Sequence, residues 1–212
     1  MTGSTILDFL KTLLKFIVGH KAVNSWSHTG TDDPDLDWDR VDATLNRLND
    51  LRKTFPENAE IADVANMAAA AAGATVAQID KTCATDNWDL VDTAMDRIDK
   101  LRKAFPENEK IARHAAEAAA DVTYYAGYAE NWGQVDAALK RMDALREKFP
   151  EDAEIALEEA KVAINVITDA DRVNDRKRKA EALARLDGLP GAFPENILIR
   201  RIVRFVHVLL EQ

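Results

Sequence analysis

The sequence predicts an all-α protein in which helix pairs of about 44 residues stack into a right-handed superhelix. Three observations carry this expectation. The 212 residues include only 8 glycines and 6 prolines, too few for the frequent turns of an all-β fold. The dipeptide Phe-Pro recurs at Phe55-Pro56, Phe105-Pro106, Phe149-Pro150 and Phe193-Pro194, at spacings of 50, 44 and 44 residues. In the first three copies a tryptophan, Trp38, Trp88 or Trp132, stands 17 residues before the phenylalanine.

Taken in order, the first element is a helix near residues 5–21, where Asp8, Lys11 and Lys15 interrupt every apolar core a signal peptide would need. Nowhere do about 18 uncharged apolar residues run together, so no membrane span is expected. Asp32, Asp33, Asp35, Asp37 and Asp39 alternate like a calcium loop, yet Trp38 stands where that loop needs glycine. They read more simply as acidic residues favouring the start of the next helix.

That helix, near 38–54, carries Val41, Leu45, Leu48, Leu51 and Phe55 on one stripe. The same stripe returns as Val91, Met95, Ile98, Leu101 and Phe105 on a helix at 88–104. It returns again as Val135, Leu139, Met142, Leu145 and Phe149 on a helix at 132–148. Each stripe stops at proline because the residue before proline is pushed out of the helical region, while proline itself suits a first turn. Phe-Pro therefore reads as the hinge of each pair. Second helices are expected near 57–83, 107–128 and 151–169; they are rich in alanine, with Ala68 to Ala72 consecutive, which lets neighbouring helices approach closely. In the last copy Arg176 replaces the tryptophan and Lys179 the valine, but Leu183, Leu186, Leu189 and Phe193 persist, giving helices near 176–189 and 195–210. About nine helices form a single domain over 1–212: a leading helix and acidic loop at 1–37, repeats at 38–87, 88–131 and 132–175, and a degenerate repeat at 176–212.

The net charge of −9 is unevenly placed, with +2 over residues 1–30, +3 over 171–212 and −14 between them. An acidic body repels phosphates, and Arg176 to Lys179 reads as a solvated helix start, so nucleic acid is excluded as a partner. Cys83 is the single cysteine, which requires no oxidising compartment and points to the cytoplasm. All three serines, Ser4, Ser25 and Ser27, precede the first repeat, and there is no glycine-rich phosphate loop. No catalytic residue, cofactor or metal site is expected. The histidines lack paired ligand spacing, and His114 with Glu117 is a common surface pair. Asp42, Asp92 and Asp136 with Arg47, Arg97 and Arg141 recur once per repeat and read as a ladder of surface or inter-repeat ion pairs.

The segment Asn131-Trp132-Gly133-Gln134-Val135-Asp136-Ala137-Ala138 through Phe149-Pro150-Glu151-Asp152 resembles the second helix and closing proline of the tetratricopeptide-repeat family, and the likeness extends over roughly residues 38–200. Two departures mark the chain as similar to that family and not a standard example. The repeat is 44 residues and not 34, and Ala112, Ala116, Ala156 and Ala160 replace a large aromatic and small residue pair. The resemblance implies that helices following each Phe-Pro line a concave face bearing Glu60, Asp63 and Met67; Lys110, Arg113, Glu117 and Asp121; and Glu154, Leu157, Lys161 and Asn165. Glu117 beside Arg113 argues against that family's clamp for a C-terminal carboxylate.

Tyr124, Tyr125 and Tyr128 cluster near Trp132; helical spacing favours core packing at the inter-repeat turn, and the functional alternative is an aromatic anchor for a peptide. Both terminal helices are apolar nearly all round, which suggests burial against a second copy or another protein. The function these features imply is a non-catalytic scaffold that binds a partner peptide or protein on the concave face. Alternatives are a small-molecule or enzyme pocket near Arg113, Glu117 and Tyr124, and a peripheral membrane module using the first helix with Lys11 and Lys15.

Overall fold

The computed structural model describes residues 59–83 and 86–210, preceded by helical backbone at 43, 46, 47, 50, 53 and 54. Expectations for residues 1–42, including the leading helix and the aspartate loop, lie outside the described residues. Among those described there are seven helices and no strands: α1 Ala59–Cys83, α2 Trp88–Ala104, α3 Glu109–Tyr128, α4 Trp132–Lys148, α5 Ala153–Arg172, α6 Arg176–Ala192 and α7 Ile197–Leu210.

Two kinds of turn alternate along the chain. At Phe105, Phe149 and Phe193 the phenylalanine before proline caps the outgoing helix in a non-helical conformation, as at Phe105 with φ −129°. Its carbonyl then accepts from the amide three residues on: Asn108 N to Phe105 O at 3.1 Å, Asp152 N to Phe149 O at 3.2 Å and Asn196 N to Phe193 O at 3.1 Å. The side chains of Asn108, Asp152 and Asn196 in turn accept from the amides of Ile111, Ile155 and Ile199. This corrects the expected helix starts at 107, 151 and 195. Proline and glutamate form the middle of a β-turn, and the residue after them is the true cap, so each helix begins two residues later.

The other turn follows the alanine-rich helices. Asp86, Glu130 and Asn174 adopt positive φ of 55°, 58° and 59°. Around Glu130, Asn131 N donates to Ala126 O and Glu130 N to Gly127 O; around Asn174, Asp175 N donates to Ala170 O and Asn174 N to Asp171 O. These are Schellman closures whose last residue is already the N-cap of the next helix, Asn131 or Asp175. The left-handed conformation disfavours Glu130 by roughly 1 kcal/mol, which the two closing bonds and a 3.0 Å Arg172–Glu130 pair offset. Helices joined this way, α1 with α2, α3 with α4 and α5 with α6, pack along more of their length than those joined by Phe-Pro. The tight hairpin therefore spans the Schellman turn, and Phe-Pro links one hairpin to the next.

α6 runs to Ala192, three residues beyond its expected end, with Pro190 inside it. Pro190 lies in the final turn, and Phe193 N to Leu189 O at 2.9 Å resumes the ladder past it.

α1 packs closely on α3 and α3 on α5, and α7 meets α5 over a much shorter stretch; we call this set the inner row. Among the described residues no comparably close approach joins α2 to α4 or α4 to α6, the outer row. Alanine makes the inner row possible: Ala112, Ala116, Ala156 and Ala160 are all buried between helices. Gly127 goes further, since a Cβ there would lie 2.3 Å from Asp169 Oδ2. Side-chain amides cross the seams, with Asn108 Nδ2 donating to Ala65 O and Asn165 Nδ2 to Ala120 O, both at 3.2 Å.

Long side chains bridge the outer row. Gln134 Nε2 donates to Asp92 and Arg178 to Asp136, equivalent positions one repeat apart; Arg141 meets Asp99 at 3.1 Å and Arg185 meets Asp143 at 2.6 Å, again one repeat apart. The ladder expected from the sequence is present with different partners. Each rung joins residues 42 apart on successive outer helices, and Arg97, only 7% exposed, is in the core. Glu159, buried on α5, is held by Arg146 at 2.9 Å and Arg185 at 3.1 Å.

Candidate partner-binding face

The 44-residue repeat places α3, α5 and α7 in one register. Ile111, Ile155 and Ile199 are equivalent, each follows the same cap, and each is fully buried. From that anchor the outward positions of the inner row can be read across helices: Lys110, Glu154 and Leu198; His114, Glu158 and Ile202; Glu117, Lys161 and Phe205; Asp121, Asn165 and Leu209. All are exposed or half-buried. The face is charged over α3 and α5 and becomes apolar on α7, where Phe205 is 62% and Leu209 52% exposed.

Its charged part is anionic. Asp121 is surrounded by Asp80 of α1, Glu117 of its own helix and Glu158 of α5, with Lys161 as the opposing cation. Burial, then repulsion from Asp80, Glu117 and Glu158, pushes its carboxyl up to about 7. Lys161 Nζ is engaged by Glu158 Oε1 at 2.7 Å, and Glu158 Oε2 has no hydrogen-bond partner within the protein. His114 Nδ1 lies 3.2 Å from Glu117, and that bond holds the Glu117 carboxyl below its usual range. Tyr125 OH donates to Asp80 at 2.8 Å, which, with partial burial, raises the phenol to about 12. Cys83 is buried, and desolvation, then Asp121, Asp80 and Asp86, pushes its thiol up to about 12, leaving it an unreactive neutral group.

The tyrosines divide. Tyr125 packs on the core as helical spacing suggests. Tyr124 and Tyr128 do not; they are 58% and 76% exposed, on the same side of α3 as Glu117 and Asp121. Tyr124 meets Tyr125 edge-on at 5.0 Å, and Arg172 covers Tyr128 at 5.7 Å. The Trp132 ring is instead covered by Arg178 at 4.8 Å, in the outer row.

Other predicted positions serve the fold. Arg113 reaches the first turn of α5, 2.9 Å from Asp152 and 3.0 Å from Glu154, and also contacts Glu109 at 3.4 Å. Burial works against the Asp152 charge, but the Arg113 bond and the amides of Ile155 and Glu154 outweigh it and hold its carboxyl low. Leu157 packs on the core, and Asn165 also donates to Thr123 Oγ1 at 3.3 Å. Glu60, Asp63 and Met67 lie on α1, with side chains outside the described residues. A cleft of about 440 Å³ beside Arg113 is walled by Glu109 and residues 149–153, and does not bring Arg113 together with Glu117 and Tyr124. A second cleft, of about 240 Å³, is lined by Arg102, Lys103, Phe105 and Lys148.

The apolar continuation on α7 is what sequence reasoning missed. Leu198, Ile202, Phe205 and Leu209 stand out in the sequence only as part of a generally apolar helix. Carrying the 44-residue register one repeat further separates them from Ile199, Val203 and Val206, which are buried. The same register puts Arg200 and Arg204 where Ala112 and Ala156, and Ala116 and Ala160, are buried. Long charged side chains at those positions disfavour a further helix packing on that side of α7 as closely as alanine allows between helices.

Among the described residues no three or more histidine, cysteine or carboxylate side chains group as metal ligands, and no helix is long and apolar enough to cross a membrane. The chain matches no protein-family model, no curated protein and no solved structure.

Proposed function

We propose that this protein is a non-catalytic scaffold, a right-handed solenoid similar to tetratricopeptide-repeat arrays, which binds a partner protein or peptide along its inner row of helices. The observation that carries the reading is the in-register face across α3, α5 and α7, charged at one end and apolar at the other, with Tyr124, Tyr128 and Phe205 exposed. The close approach of the alanine-rich helices and the wider spacing of α2, α4 and α6 support inward curvature on this side. Large aromatic and aliphatic side chains on a curved surface suit macromolecular recognition better than the two shallow clefts suit a small molecule. The same wall of arginines on α7 argues against continued end-to-end stacking of copies through that helix.

The test is site-specific photocrosslinking of the full-length protein in its host, with the photoreactive residue at Phe205 or Tyr124 and, as control, at Leu90, an exposed apolar residue of the outer row. Crosslinks to the same protein from Phe205 and Tyr124, and not from Leu90, are expected. Equal crosslinking from all three would reject the inner row as the binding face.

A further inference from the structure

We infer that the inner face selects a peptide segment that is basic at one end and apolar at the other, seating its cationic side chains among Asp80, Glu117 and Asp121 and its apolar side chains on Phe205 and Leu209. This rests on the peptide-binding reading and adds the chemistry of the partner. Around Asp121 the surface carries more negative charge than the nearby lysine neutralises, because Asp80, Glu117 and Glu158 surround it and Lys161 is paired with Glu158. Asp121 stays unpaired among carboxylates. A lysine or arginine arriving there would meet an existing excess of negative potential and relieve the repulsion among its neighbours. Exposed Tyr124 beside these carboxylates adds a face on which a cation can rest.

At the other end, Phe205 and Leu209 fall two helices along the row, and Ile202 is half-buried against the core beside them. Closely packed helices are about 8–10 Å apart, and α7 meets α5 less closely than α5 meets α3, so the acidic and apolar parts are separated by at least roughly 16–20 Å. An extended segment covers that distance in about five or six residues. The occupant is therefore a short extended stretch with a basic pair, a spacer of that length and two large apolar residues. An anionic membrane also offers an apolar phase, but its headgroups would face the carboxylates and be repelled. A second copy fits less well: its own basic and apolar stretch, within residues 171–212 at net +3, is folded into α6 and α7 and offers no extended segment.

The experiment measures fluorescence anisotropy of labelled synthetic peptides with the full-length protein, up to about 1 mM. One set joins two lysines to a Leu-Phe pair through flexible spacers of about four to eight residues. A second replaces lysine with glutamate, and a third replaces Leu-Phe with serine. The basic and apolar set should bind, tightest at a spacer near five residues, and more weakly as salt is raised. Glu117→Lys and Phe205→Asp, both exposed positions that leave the core intact, should each weaken binding at least tenfold. Circular dichroism melts of both variants should match the parent.

Preference for the glutamate peptides, with Phe205→Asp still abolishing it, would overturn the basic assignment while the peptide-binding reading stood. If no set binds and Phe205→Asp alters only sedimentation, the face is a contact between copies, and both readings fall. Binding indifferent to Glu117→Lys and Phe205→Asp would overturn the proposed location.

Discussion

The inner and outer rows are held together by different physics. Between α1, α3 and α5, backbones approach because alanine and glycine leave room, and the seam is closed by packing and by amides that reach neighbouring carbonyls. Between α2, α4 and α6 the bodies of the helices stay apart, and arginine, glutamine and aspartate reach across solvent. A seam of the first kind tolerates little change in volume; one of the second tolerates much. The face proposed for recognition belongs to the inner row, where rigid backbone positions would support its outward side chains.

The largest expected effect lies where the two rows are tied together. Glu159 occupies the position of Ala115 and Val203, yet it is buried and bonded to Arg146 of α4 and Arg185 of α6. Arg146 also donates to the carbonyls of Phe149 and Pro150 and lies 4.8 Å over the Phe193 ring. Glu159→Ala would leave Arg146 without its carboxylate in a half-buried site, at a loss of about 3 kcal/mol. Thermal melting should fall by roughly 10 °C. If instead the midpoint is unchanged, the junction of the rows does not depend on this ion pair.

A smaller loss is expected within the inner row itself. Ala160 is fully buried, and Ala160→Leu adds volume where the helices have none to yield, destabilising by about 2–3 kcal/mol in urea titration. Lys140→Leu, an exposed change on the outer row, should stay within about 0.5 kcal/mol. Similar losses at both positions would erase the distinction between the rows.

Much of this was legible in the sequence because its signals were local. Trp88 and Trp132 open their helices where the stripe predicted, and the helices ending before Phe105 and Phe149 stop there. Local signals misplaced the second helices by two residues, since Glu107 and Asn108 look alike as acceptors and only the turn bond to Phe105 O decides which one caps. The positive φ of Glu130 left no mark, because glycine, its usual signature, is absent there. Asp92, Asp136 and Arg141 do form rungs between repeats, but their partners Gln134, Arg178 and Asp99 could not be named, because they depend on the offset between stacked helices, which no single repeat contains. The candidate face was half visible. Glu117, Asp121 and Lys161 were placed on it, whereas Arg113 and Asn165 turned out to bind the neighbouring helix.

Asp121 sharpens the comparison through pH. Its native pKa near 7 lies above the unfolded value of about 3.9, so the native state holds the extra proton between these values. Stability attributable to this group is therefore highest below about pH 4, declines as pH rises to 7, and is flat above. Asp121→Asn removes the penalty. It should stabilise the protein by about 1–2 kcal/mol at pH 8, a figure discounted for solvent screening, and by nothing at pH 4. Denaturation at the two pH values checks this, and an equal effect at both would remove the clustered carboxylates as its cause.

The smallest effect is expected from a single outer rung. Arg178 donates to both oxygens of Asp136, and this bond holds the Asp136 carboxyl below its usual range. Because the native pKa is the lower one, the contribution is present above the unfolded value and disappears as pH falls through the native one. Asp136 is more than half exposed, so Asp136→Ala should lower stability by only about 0.5 kcal/mol at neutral pH. That loss should vanish in about 1 M salt, where the screening length shrinks to roughly 3 Å. Gln134 and Asp92 form the equivalent rung without a cation, so Asp92→Ala should show less salt dependence than Asp136→Ala. Equal salt dependence in the two variants would mean that the rungs act through general repulsion in an acidic body, and that the outer row is spaced by charge more than it is bridged by pairs.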